Sequence, residues 1–128
     1  MASNVLSWKS AFDVATTIDR LVDLLDAKDI KVFARIDFSA DAKAAGLQLP
    51  PEQLLIFGNP KAGTPLLQSA PSVGIDLPLK ALAYQDGDGI THVLLNDPAY
   101  IVARHGVSSE LEKNIAGAAA MVAAAAGT

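Results

Sequence analysis

The sequence predicts a two-layer α+β domain: a mostly antiparallel sheet with helices on one face. Three observations predict it. Ile18, Leu21, Val22 and Leu25 fall at helical spacing, with Asp19, Arg20, Asp23 and Asp26 off that stripe. Ile-Lys-Val-Phe-Ala-Arg-Ile at residues 30 to 36 alternates at the two-residue period of a strand with one wet face. Asp86-Gly87-Asp88-Gly89 joins two short apolar runs, as a hairpin turn does. Strand, helix, strand, further strand, hairpin and terminal helix, in that order, is an α+β arrangement.

Each element has its own signal. Val5-Leu6-Ser7-Trp8-Lys9 alternates loosely as a first strand. Ser10 in the N-cap position, with Asp13 three residues on, predicts a helix over residues 11 to 27. Residues 38 to 46 form a short helix or loop with Gly46 as its stop. Pro50-Pro51 breaks the chain before a buried strand, Leu54-Leu55-Ile56-Phe57. Residues 58 to 65 are a punctuated loop, with a short helix from Pro65 to Ala70 capped by Gly63 or Thr64. Residues 71 to 78 are irregular, and residues 79 to 85 and 90 to 95 make the hairpin strands. Asn96-Asp97-Pro98 opens a helix that Gly106 stops. Ser109 and Glu112 form a capping box for an alanine-rich last helix reaching Ala126.

Composition narrows the function classes. The 128 residues are 51% hydrophobic with a net charge of −4, which fits one folded domain rather than a disordered chain. Cysteine is absent, which excludes disulfides, thiol nucleophiles and thiolate metal sites. Met1-Ala2-Ser3-Asn4 lacks a basic region leading into an apolar run, so no secretory signal is expected and the default location is the cytoplasm. The most apolar stretch, residues 115 to 126, spans about 18 Å as a helix, well short of a roughly 30 Å bilayer core, so no membrane role is expected. The ten basic residues are scattered, so no nucleic-acid partner is expected either.

Several segments imitate chemical motifs. Gly58 to Thr64 has the glycine spacing of a phosphate loop, but Thr64 stands where the lysine belongs and Pro60 removes an N–H. A weaker anion site at Thr64 with Lys61 remains open. Asp86 to Gly89 fails as a calcium loop because Ile90 takes a ligand position. His92 reads as a structural strand residue, and His105 as a cation near a helix C-terminus that caps or packs. Asp37, Asp76 and Asp97 stand at strand ends, where they either converge as an acid/base pair or bond turn backbone. Ser72, Ser108 and Ser109 lie outside any nucleophile elbow.

Leu54-Leu55-Ile56-Phe57-Gly58-Asn59-Pro60, Gly63-Thr64-Pro65-Leu66, Ile75-Asp76-Leu77-Pro78-Leu79-Lys80, Asn96-Asp97-Pro98 and Arg104-His105-Gly106 occur in series. In these motifs, from about Phe12 to Val107, the chain resembles the domain of unknown function 302 family. The resemblance implies a β-α-β4-α topology, similar to that of the TATA-binding protein, and a homodimer. The family has no established activity, and its likeness to DNA-binding proteins is fold analogy alone. Members often carry histidine after the aspartate at position 37, where this chain has Phe38. That loss makes a metal site with His105 doubtful.

Three functions follow. The first is a non-enzymatic homodimer binding a small-molecule or anionic ligand or a protein partner, with a pocket rimmed by Asn59, Thr64, Asp76 and Asn96. The second is a hydrolase- or isomerase-like enzyme using Asp37 or Asp97 with His105. The third is a structural oligomer joined through the alanine-rich helix. The first is preferred, with Asp37, Lys61, Asp97 and His105 completing the candidate binding residues and with no cofactor or metal expected.

Overall fold

A computed structural model describes residues 4–128; most of the N-terminal tetrapeptide considered above lies outside the described residues. Five strands, β1 (Val5–Ser10), β2 (Lys31–Asp37), β3 (Glu52–Gly58), β4 (Leu79–Gln85) and β5 (Thr91–Asn96), form one sheet in the order β1-β5-β4-β3-β2. Every neighbouring pair is antiparallel. With α1 (Val14–Ala27) after β1 and the helical C-terminal region after β5, this is the two-layer α+β fold expected.

The buried face follows from the pleat. Gln53, Leu55 and Phe57 of β3, Leu79, Ala81 and Ala83 of β4, and Thr91, Val93 and Leu95 of β5 are buried, and the residues between them are not. Against this face lies α1, which buries Val14, Thr17, Ile18, Leu21 and Leu25, an i, i+3, i+4, i+7, i+11 stripe. The C-terminal α6 (Ala118–Ala126) buries Ala118, Val122, Ala125 and Ala126 in the same core. Arg20 on α1 fastens it: Nε donates to the Ala125 carbonyl at 2.9 Å and Nη2 to that of Ala124 at 3.1 Å. A cation on the last carbonyls also opposes the helix dipole. The alanine-rich helix therefore spends its apolar side within its own chain.

Four expectations are corrected. The first helix begins at Val14, not Ala11: Asp13 is its N-cap, accepting from the Thr16 N–H, while Ser10 Oγ meets Thr17 Oγ1 at 2.6 Å. Residues 60 to 65 are not a loop but the start of α3 (Pro60–Ser69), capped by Asn59. Pro60 at N1 forfeits an N–H that has no helical partner, so it starts the helix instead of breaking it, and Pro65 sits inside. The segment before β4 is a 3-10 turn, Pro71–Ile75, followed by a cis Leu77–Pro78 bond. The last helix is broken into a 3-10 turn (Ser109–Leu111), α5 (Lys113–Ala116) and α6, and no side-chain cap bond forms at its start. The two remaining helices, α2 (Phe38–Ala44) and α4 (Pro98–His105), match expectation, with Gly106 in the left-handed conformation after α4.

The wet face of β2 is also corrected. Val32 pairs with Phe57 but Ala34 pairs with Ile56, so a bulge at Phe33 exchanges the faces of the strand. Beyond it Arg35 turns to the helix side, where Nε bonds Gln53 Oε1 at 2.8 Å and Nη1 bonds Asp19 at 2.7 Å. Ile36 is thereby moved to the face opposite α1, beside Leu54.

Candidate functional site

Where β3 ends and β4 begins, the chain leaves a cavity of about 450 Å³. Its floor is Phe57, Gly58 and Leu79, and its walls come from α3, the 3-10 turn before β4, and the α5–α6 junction. The local sequence explains the opening. Gly58 has Phe33 Cε2 and Pro78 Cβ each 3.6 Å from where a Cβ would stand. Gly63 and Gly117, which also line the space, have nothing within 4 Å of that position. Asn114 holds the far wall in place by donating from Nδ2 to the Ala62 carbonyl at 3.0 Å.

The lining is mostly apolar: Ile30, Phe33, Leu67, Leu77, Ile115 and Met121 supply much of it. Polar groups enter from Asn59, Thr64, Lys113 and Asn114. A concave apolar space with a few convergent polar groups, within the usual 300–1,000 Å³ range, is the form small-molecule sites take. Of the expected residues, Asn59 and Thr64 line it. Asn59 Oδ1 is occupied by the Lys61 N–H at 3.0 Å, and Lys61 itself is exposed outside the lining. Phe33, Lys113 and Asn114 went unnoticed in the sequence, because a strand bulge and the docking of α5 bring them there.

Asp76 and His105 meet, but beside the cavity rather than in it. His105 Nε2 lies 2.5 Å from Asp76 Oδ2, and its Nδ1 lies 2.9 Å from Ser72 Oγ. Arg104 Nη1 reaches both Asp76 oxygens at 3.1 Å. With Asp76 accepting from Nε2–H, the other ring nitrogen is left to accept from the serine hydroxyl. The order hydroxyl, imidazole, carboxylate is that of a serine hydrolase, with the two ring nitrogens exchanged. Ser72 is exposed and lines neither this cavity nor the groove between Asp37 and Pro50. These bonds form a latch, tying the 3-10 turn and Asp76 after it to the end of α4.

The acid/base pairings of the enzyme reading are not formed. Asp97 caps α4 by accepting from the Ala99 N–H at 3.0 Å, while His105 is the last residue of that helix, about 12 Å along its axis. Asp37 pairs with Gln53, at the opposite end of β3 from Gly58 and so about 17 Å from it along the strand. At that far end of β3 it caps α2, accepting from Ser39 Oγ at 2.7 Å and the Ala40 N–H at 2.9 Å. The Ser39 bond, then the Ala40 bond, holds its carboxyl below the usual range. Asn96 is exposed at the end of β5. The strand-end residues thus divide among a cavity, a latch and two helix caps.

His92 is structural in the manner expected. Nε2 lies 2.6 Å from Asp86 Oδ2, and its ring stacks on Tyr84 with centroids 5.2 Å apart. Asp86 also accepts from the N–H groups of Asp88 and Ile90, closing the hairpin turn.

Comparison with known proteins agrees with this architecture. A structure of an uncharacterized conserved DUF302 protein from Bacillus stearothermophilus superposes with a TM-score of 0.79, covering 98% of each chain at 23% identity. Proteins named fluoride-specific ion channel FluC 1 from Brucella suis and Brucella abortus are 44% identical over 111 residues, or 85% of this chain. The chain spans only 44% and 41% of their respective lengths. No helix among the described residues is long and apolar enough to cross a membrane. Residues 6–125, nearly the whole chain, match the family described as Domain of unknown function DUF302, and the protein belongs to that family.

Proposed function

We propose that this domain is a non-enzymatic binding module, a homodimer whose protomers each hold a small apolar-bodied molecule in the cavity between α3, the 3-10 turn and the α5–α6 junction. The cavity carries this reading: about 450 Å³ lined mainly by apolar side chains is costly to leave to water and suits an organic ligand. The latch of Asp76, His105 and Ser72 supports the wall containing Gly74 and Leu77 instead of performing chemistry.

The sheet face opposite α1 supports the dimer. Ile36, Leu54, Leu82 and Leu94 are consecutive partners across four strands and lie outside the core cluster, part-buried. Ile56 flanks this row on the same face. A contiguous apolar stripe on one side of a sheet suits an isologous contact with a second copy.

Titration with Nile red, a neutral apolar dye, tests the cavity. Bright, saturable fluorescence is expected with the native protein and its loss with G63L/G117L, whose new side chains extend from lining positions with free space at Cβ. Dye binding unchanged by those substitutions overturns the assignment.

A second reading rests on the Brucella relatives: a homologous segment forms part of chains named for fluoride channels. On that reading the domain is an accessory to fluoride handling. Amide NMR spectra in sodium fluoride against equal sodium chloride test it; localised, saturable shifts support it and coincident spectra remove it.

A further inference from the structure

We propose that the cavity selects a small organic monoanion, an apolar body ending in one carboxylate-like group that pairs with Lys113; this rests on the cavity being the binding site. Among the described residues, Lys113 is the one lining residue of the cavity that has an ionisable side chain. No carboxylate lines it, and Lys113 makes no ion pair or hydrogen bond through its side chain with any described residue. The amide of its neighbour Asn114 is committed to the Ala62 carbonyl.

The charge pattern selects the ligand. An ammonium beside an apolar, low-dielectric wall interacts more strongly with an anion than one in open water. A cationic headgroup meets repulsion from Lys113 and no compensating acid. A neutral ligand gains the apolar contacts with Phe33, Phe57, Leu79 and Met121 but leaves the ammonium to solvent. A dianion has one partner for two charges. The Asn59 amide N–H₂ and the Thr64 hydroxyl, on the α3 side, add neutral hydrogen-bonding capacity for the same headgroup. The flexible stem of Lys113, exposed at the rim, lets the ammonium follow ligands of somewhat different length.

Isothermal titration calorimetry with sodium octanoate, 1-octanol and octylammonium chloride at neutral pH tests the inference. Octanoate is expected to bind at least tenfold more tightly than octanol, with octylammonium weakest. In Lys113→Met octanoate is expected to fall to the affinity of octanol, whereas Lys113→Arg retains the preference; thermal unfolding of both variants checks that the fold persists. Equal affinity of octanoate and octanol for the native protein overturns the charge selection and leaves the cavity reading standing. No binding of any of the three overturns both. A preference for octanoate that survives in Lys113→Met, with the fold intact, moves the headgroup away from Lys113 and overturns the assignment.

Discussion

One carboxylate, that of Asp76, holds two successive residues of the last turn of α4: His105 Nε2 at 2.5 Å and Arg104 Nη1 at 3.1 Å. The two bonds differ in surroundings. The His105 side chain is 7% exposed and that of Arg104 is 48% exposed. Removing the carboxylate strands a nearly buried imidazole but leaves the guanidinium to water. Asp76→Ala is therefore expected to cost about 1–3 kcal/mol, and Arg104→Ala less than about 1 kcal/mol. Urea denaturation of the two variants measures both; equal losses would contradict the division of labour.

Acid sensitivity follows from the carboxylates that accept hydrogen bonds in the fold. The bond from His92, then that from the Ile90 N–H, holds Asp86 below its ordinary range; the Thr16 N–H does so for Asp13 and Ser39 for Asp37. A folded pKa below the unfolded one gives stability that is present above the unfolded value, about 4, and lost as pH falls through the folded value. The thermal midpoint is thus expected to be flat in this respect above about pH 5 and to drop below about pH 4. Asp86→Asn should lower the midpoint at pH 6 and flatten the acid limb; curves of identical slope would refute the role given to Asp86.

The sheet was legible because its signals are local: alternation in the first two strands, short apolar runs in the other three, and glycine at the hairpin. What escaped depended on contacts or on position within a turn. Pro60 reads as a breaker until Asn59 is recognised as an N-cap, after which proline at N1 favours the helix. The bulge at Phe33 leaves no mark in hydropathy, yet it sends Arg35 to α1 and Ile36 to the opposite face. The cavity was half visible, through Asn59 and Thr64. Its other polar wall comes from Asn114, 52 residues beyond the Ala62 carbonyl it bonds. Asp76 and His105 were both singled out, but not as partners.

Two glycines near the C-terminus are expected to respond oppositely to alanine. Gly117 joins α5 to α6 with helical angles, φ −63° and ψ −17°, and an added Cβ there meets nothing within 4 Å. Gly117→Ala should stabilise by about 0.4–1 kcal/mol, because alanine has fewer unfolded conformations to lose. Gly127 has φ +84°, and its Cβ would meet Phe12 Cε2 at 3.2 Å and Ala11 Cβ at 3.3 Å. Gly127→Ala should destabilise by about 1 kcal/mol or more. Chemical denaturation of the pair checks the signs; stabilisation at both positions would show that Gly127 is not held by Ala11 and Phe12.

The sheet face offers a cleaner test of self-association than the alanine-rich helix, whose buried residues belong to the core. Leu82 lies within the apolar row on the face opposite α1, paired with Leu54 on one side and Leu94 on the other. Lysine there adds a charge to a part-buried outer position while Ala81 and Ala83, its buried neighbours along β4, are untouched. In an isologous contact each such change enters the interface twice, so like charges meet near the two-fold axis. Leu82→Lys is expected to convert a dimer to a monomer by light scattering, with little change in far-ultraviolet circular dichroism. Ser7, opposite Leu94 at the edge of the row, is a control: Ser7→Lys should weaken the dimer far less. A Leu82→Lys protein that remains dimeric would place the contact elsewhere on the surface.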